Sequence, residues 1–299
     1  MTHESRVIGH LPRPLGDMPG VVHGDALLVL GGASGMENRD EILAVSADGT
    51  VREVGRLPEP LRGHQAVRIG SAAIVIGGFT GETVATGFRL DLESFASRPI
   101  APMPRGSAWF TAAESGGRIY VVGGFSIPEG YWPDIAVYDP QADRWEVVED
   151  GFRDGPFPKA ILGSNTVVAA GERILSFGGA DTFDGGTMRA NALDAAAAFD
   201  PATRSWTALP AGMEPREGLV GVTYGDKAYL VGGMRNAPEH SSPLVEEVDL
   251  ATGSVTPFAT LKEGRTAAAC GVLGTTLVVA GGVTEGVANM TGTIEAISL

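Results

Sequence analysis

Short bursts of three to five mostly apolar residues, each closed by a glycine pair, recur six times: LLVLGG, AIVIGG, IYVVGG, ILSFGG, AYLVGG and LVVAGG. The pairs begin at Gly31, Gly77, Gly123, Gly178, Gly232 and Gly281, at intervals of 46, 46, 55, 54 and 49 residues. A further glycine stands seven residues before each pair, at Gly24, Gly70, Gly116, Gly171, Gly225 and Gly274. Self-similarity at this period marks a repeat architecture. Each burst predicts a short buried strand, and the glycine at minus seven suits a hairpin turn that needs positive φ. The pair ends the second strand, where backbones crowd towards an axis and a Cβ would clash. Downstream come AVYDPQADRW (136–145) and AAFDPATRSW (197–206), with weaker copies FRLDLESF, VEEVDLATGSV and ILAVSADGTV. Asp-Pro followed by polar residues predicts a turn between a third and a fourth strand. A unit of about four short strands cannot bury both faces alone, whereas a ring of units covers every face.

These motifs resemble the kelch repeat, whose blade carries a double glycine ending its second strand, then a YDP-type turn and a Trp. The resemblance covers nearly the whole chain. It implies an all-β, six-bladed propeller of kelch type, a single unit over residues 1–299, with Trp145 and Trp206 packed between blades. The last segment, GTIEAISL, supplies a third strand for the sixth blade. The first, ESRVIGHLP, resembles the fourth strands elsewhere, so Arg6–His10 is expected to complete that blade and close the ring.

Composition narrows the partners. The 299 residues hold 43 glycines, and 36 acidic against 22 basic residues give a net charge of −14, with no basic block. Nucleic acid and anionic membranes reward clustered Lys and Arg, so neither is expected as a partner. A lone cysteine, Cys270, excludes an intramolecular disulfide framework and a Cys-rich metal site. The N-terminus has no apolar signal-type core and no run approaches eighteen apolar residues, so a soluble, cytoplasmic monomer is expected.

Strand alternation places the loops after GG, and the connections into each next inner strand, on one face. That face varies in length and composition, as binding surfaces on rigid scaffolds do. Two insertions, residues 146–164 and 180–194, flank the fourth blade there and predict a rim over the central opening. The post-GG loops contribute Met36, Arg39, Phe79, Phe125, Tyr131, Trp132, Asp134, Asp181, Met188, Arg189, Met234 and Arg235. The connections contribute Asp17, Met18, Arg62, His64, Trp109, Phe110, Ser164, Asn165 and Glu217. Apolar and aromatic walls with a few charges are the usual composition of a small-molecule pocket.

A phosphate loop is not expected, because neither GxGxxG nor GxxxxGK[ST] follows these strands and six copies argue for architecture. The five histidines lack ligand spacing. Copper oxidases of this family need a Cys–Tyr cross-link, and its iron-binding members an E-x3-D-x3-H motif; neither is present, so no cofactor is expected. Some bacterial kelch propellers are sugar-acid mutarotases, which implies acid–base work at Glu217, His64, Asp134 or Asp181, with Arg62 or Arg235 binding substrate. The apolar rim suggests a less polar molecule and an isomerase or cyclase that works largely by orientation. The alternative is a non-catalytic module binding a protein or peptide on the same face.

Overall fold

A computed structural model describes residues 3–126, 129–152, 164–184, 189–210, 212–235, 241–286 and 288–299. Six sheets follow one another along the chain, innermost strand first, each built on four antiparallel strands, the fifth extended at its outer edge by a short parallel strand. Blade one runs Gly20–His23, Ala26–Ser34, Glu37–Ser46 and Val51–Arg56. Blade two runs Gln65–Ile69, Ala72–Ile76, Gly87–Asp91 and Ser97–Pro99. Blade three runs Thr111–Ser115, Arg118–Val122, Ile135–Asp139 and Arg144–Val148. Blade four runs Thr166–Ala170, Arg173–Phe177, Ala196–Asp200 and Ser205–Ala208. Blade five runs Val220–Tyr224, Lys227–Val231, Leu244–Asp249 and Val255–Thr260. Blade six takes Ala269–Leu273, Thr276–Ala280 and Thr293–Ser298, and its fourth strand is Arg6–His10 from the other end of the chain. Each inner strand packs on the next right around the ring, so the molecule is a closed six-bladed propeller.

The core lies between blades. Every large apolar cluster spans two neighbours, as where Leu28, Leu30 and Ile42 of blade one meet Val75, Phe88 and Leu90 of blade two. Full burial of such a side chain is worth about 1.5–3 kcal/mol, and no blade collects that alone. The tryptophans work at the same seams: Trp145 Nε1 donates to the Ala101 carbonyl at 2.9 Å and Trp206 Nε1 to Gly151 at 2.6 Å.

The double glycine is the clasp between blades. Its second N–H donates to a carbonyl in the following connection, as from Gly32 to Leu61 (2.8 Å), Gly179 to Arg216 (3.0 Å) and Gly282 to Leu15 (2.7 Å). A Cβ on the first glycine would meet the same connection, 2.0 Å from the Arg265 oxygen at Gly232. In two connections an arginine reinforces the clasp. The fully buried Arg216 pairs with Glu246 and donates to the Gly232 carbonyl, and Arg265 pairs with Glu295 and donates to Gly281 and Thr293.

Beyond Arg6–His10, the N-terminus reaches a second blade. His3–Glu4 pairs in parallel with the outer strand of blade five, Ser5 hydrogen-bonds Glu295, and the His3 ring stacks on Phe258 at 4.8 Å. Past GG, blade one continues as one long ribbon. Small antiparallel ribbons also form from Phe125–Ser126 with Gly130–Tyr131, Ala180–Asp184 with Arg189–Ala192, and Val283–Glu285 with Asn289–Met290. From the sequence these segments are expected as plain loops. Of the two predicted rim insertions, residues 153–163 and 185–188 lie outside the described residues.

Candidate functional site

Two residues before each inner strand, or three at blade one, stands a residue in the left-handed region: Asp17 (φ 55°), Gly63 (61°), Trp109 (53°), Ser164 (57°), Gly218 (63°) and Ala267 (50°). Their backbones bond successively: Gly63 N–H to Asp17 O at 2.8 Å, Trp109 N–H to Gly63 O at 2.8 Å and Gly218 N–H to Ser164 O at 2.7 Å. Ala267 N–H donates to Gly218 O and Asp17 N–H to Ala267 O, both at 3.1 Å. Successive blades linked in this order can only encircle the axis. The ring is the floor of a recess on the post-GG face.

Position relative to this ring decides what each side chain does. One residue later, Met18, His64, Phe110, Asn165, Leu219 and Ala268 are all buried. They are equivalent plugs between blades, so His64, Phe110 and Asn165 do not line the recess as the sequence suggested. Burial pushes the His64 pKa down to about 3, against a weaker opposite pull from the Leu30 carbonyl, so the imidazole is neutral and shielded from any substrate. Asn165 donates instead to Ser176 Oγ at 3.0 Å.

One residue earlier the chain forms isolated β-bridges with the residue that follows GG: Gly16 with Ala33, Arg62 with Phe79, Ala108 with Phe125, Glu217 with Met234 and Thr266 with Val283. Arg62 and Glu217 therefore stand on the rim, and Phe79, Phe125 and Met234 beside them. The Arg62 guanidinium lies 5.0 Å over the Phe79 ring, and Phe79 meets Trp109 at 5.6 Å. Arg62 is 8% exposed, and its Nε has no hydrogen-bond partner among the described residues. Across the recess Tyr131 packs edge-on against Phe125 at 5.3 Å. Burial raises the Tyr131 pKa, and the charge of Glu217 raises it further.

Other candidates are engaged elsewhere. Trp132 is buried in the seam between blades two and three, and its Nε1 donates to Asp134 at 2.7 Å. The second Asp134 oxygen accepts from the Asp150 N–H at 2.7 Å, so Asp134 is a strut of blade three and not a free base. Arg39 pairs with Glu37 (2.7 Å) and Glu41 (3.4 Å), and Arg235 with Glu214 (2.8 Å). Met36 sits at the tip of the blade-one ribbon, 69% exposed. Asp181 is buried and accepts from Asn191 at 2.8 Å. Met188 and the Arg189 side chain lie outside the described residues.

Asp17 stands in the connection into blade one, where its sequence neighbourhood points to no role. Burial raises its pKa, outweighing the opposing pull of the Arg62 charge and the Trp109 indole. Anchoring all six connections on their left-handed residue would have singled it out as the one carboxylate in the ring. On the hairpin side of the ring the channel holds a cavity of about 340 Å³, lined by residues including Gly20, Val22, Arg68, Gly221, Tyr224 and Gly271. Its lining carries no carboxyl group, and Arg68 is tied to the Gly70 and Val22 carbonyls at 3.0 Å each.

Comparison with known proteins gives the same architecture. The family model described as the KLHDC2/KLHL20/DRC7 Kelch-repeats domain matches residues 19–233. Kelch-like protein terF of Aspergillus terreus is 27% identical over 188 residues, 61% of this chain and 40% of that protein, so the match spans less than half of that relative. The solved structure of YjhT superposes with a TM-score of 0.77 over 97% of this chain and 96% of that one, at 14% identity, a likeness of fold alone.

Proposed function

The chain belongs to the kelch-repeat family, and from that premise we propose that its axial recess carries a cofactor-independent, isomerase-type reaction on a small, partly apolar molecule. Family membership leaves function to the site, since propellers of this kind host unrelated activities. The observation that carries the reading is Arg62, buried with an unpartnered Nε in a connection on the post-GG face, the same face on which the equivalent position of another connection is Glu217. Arg62 offers a fixed positive charge to a carbonyl, hydroxyl or carboxylate oxygen of the substrate. Glu217 takes a proton, and Tyr131 stays a neutral hydroxyl that orients the substrate by hydrogen bonding. Phe79, Trp109 and Phe125 supply the apolar walls that hold the molecule in a reactive pose.

The test is ligand-detected NMR on a panel of hydroxylated ketones, lactones and sugar acids. Saturation transfer is expected for at least one member with the unaltered protein, and an affinity loss of about tenfold or more with Arg62→Ala at equal melting temperature. Undiminished binding by Arg62→Ala moves the site elsewhere. A second reading is a protein or peptide partner, a common role of kelch domains, and the exposed Met36 at its ribbon tip favours it. It predicts that no panel member binds and that Met36→Ser weakens a protein complex.

A further inference from the structure

We infer that the recess selects a small monocarboxylate with a flat apolar body, and that Arg62 receives its carboxylate. This deepens the reading given above and rests on it for the place of the site. Arg62 is 8% exposed, yet none of its guanidinium nitrogens has a hydrogen-bond or ion-pair partner among the described residues. Other sequestered arginines of these connections and ribbons end on carboxylates: Arg216 on Glu246, Arg265 on Glu295, Arg39 on Glu37 and Arg105 on Glu129. A sequestered guanidinium without a counter-charge is costly, and such breaches of the rule concentrate at functional sites.

The side chain is held in place. Arg62 and Phe79 bond backbone to backbone in both directions, at 2.8 and 3.4 Å, and Asn38 Nδ2 donates to the Phe79 carbonyl at 2.7 Å. The guanidinium lies 5.0 Å over the Phe79 ring, Phe79 meets Trp109 at 5.6 Å, and Trp109 rests on Gly63, where a Cβ would stand 3.0 Å from the indole. Of the three guanidinium nitrogens only Nε is sealed from solvent, so the Nη pair is left to receive a ligand. Two parallel N–H donors from such a fork match the two oxygens of a carboxylate. Phe79 and Trp109, both half-buried, offer apolar faces beside it. The surroundings limit the ligand to one negative charge. The residue bridging to the post-GG strand is Arg62 in the connection into blade two and Glu217 in that into blade five, half a turn away in a ring of six. The equivalent Gly16, Ala108 and Thr266 bring no charge, and Arg235 is already paired with Glu214. A dianion would therefore meet one free cation, an opposing glutamate and a chain of net charge −14.

The experiment is calorimetric titration near neutral pH with phenylacetate, its neutral counterpart phenylacetamide and the dianion phenyl phosphate. It uses the unaltered protein, Arg62→Gln and Arg62→Lys, with melting temperatures for these and for Arg265→Gln. Phenylacetate is expected to bind about tenfold or more tightly than phenylacetamide, and Arg62→Gln to abolish the difference. Arg62→Lys, which keeps the charge and loses the fork, should retain part of it. Phenyl phosphate should bind more weakly than phenylacetate. Arg62 has no partner to strand, so Arg62→Gln should leave the melting temperature unchanged or raised, whereas Arg265→Gln strands the buried Glu295 and lowers it. The proposal is overturned by equal affinity for acid and amide, no binding of either included, or by tighter binding of phenyl phosphate. It is overturned too by a melting temperature that falls as far for Arg62→Gln as for Arg265→Gln. The isomerase-type reading outlives each of these results if a neutral panel compound is interconverted. Conversely, phenylacetate held through Arg62 with no panel compound interconverted keeps the carboxylate site and removes the reaction.

Discussion

At Gly232 the Arg265 carbonyl oxygen stands 2.0 Å from where a Cβ would be, whereas at Gly225 nothing lies within 4 Å and only the left-handed φ of 62° asks for glycine. The two alanine variants therefore separate crowding from conformation. Gly225→Ala is expected to cost about 1–2 kcal/mol, and Gly232→Ala distinctly more, because a blade-to-blade hydrogen bond must shift; denaturant titration measures both. Equal losses would mean the clasp does not depend on close approach. His64 supplies a second residue-scale prediction. Its folded pKa, about 3, lies below the ordinary 6.5, so the unfolded chain binds more protons between those values and stability falls as pH falls through that window. The loss attributable to His64 is about 2 kcal/mol at pH 5, and it should vanish in His64→Leu, which copies the equivalent Leu219. Parallel stability–pH curves for the two proteins would refute a buried neutral imidazole.

Among elements, the N-terminal strand has the largest consequence. Arg6–His10 covers the edge of Thr293–Ser298 and ties the first residues of the chain to the last blade. Deleting residues 1–10 should lower the melting temperature of the whole ring in one cooperative step, whereas deleting residues 1–5 spares Arg6–His10 while removing the His3–Glu4 pairing, the His3 stacking on Phe258 and the Ser5 contact to Glu295, and should lower it less. Calorimetry that finds the ten-residue deletion harmless would contradict ring closure. This strand was legible in the sequence because its pattern matches the fourth strands elsewhere, and the GG periodicity gave the blade count in the same way. The site was only partly legible. Arg62 and His64 are two residues apart, yet the left-handed Gly63 between them sends one to the rim and the other into the seam. Residue type and spacing do not report a backbone reversal at one position, so Phe110, Asn165 and Trp132 read as lining when they are packing. The desolvation of Asp17 is not legible for the converse reason, since a lone carboxylate in a connection looks like any solvated charge until the ring is closed around it.

On the scale of the whole molecule, six seams of apolar packing make a rigid frame whose strands converge on one axis. The frame holds six connections side by side, five of the steps between them closed by backbone hydrogen bonds, and sets Arg62, Trp109, Tyr131 and Glu217 in the connections and post-GG ribbons of one face. The most direct test of this account compares the NMR interconversion rate of a bound panel compound for the unaltered protein, Glu217→Gln, and Glu172→Gln, an exposed glutamate on the hairpin face. The account predicts a loss of about 100-fold or more for Glu217→Gln, an unchanged rate for Glu172→Gln, and equal melting temperatures for all three. A Glu217→Gln protein that turns over at the unaltered rate would contradict it.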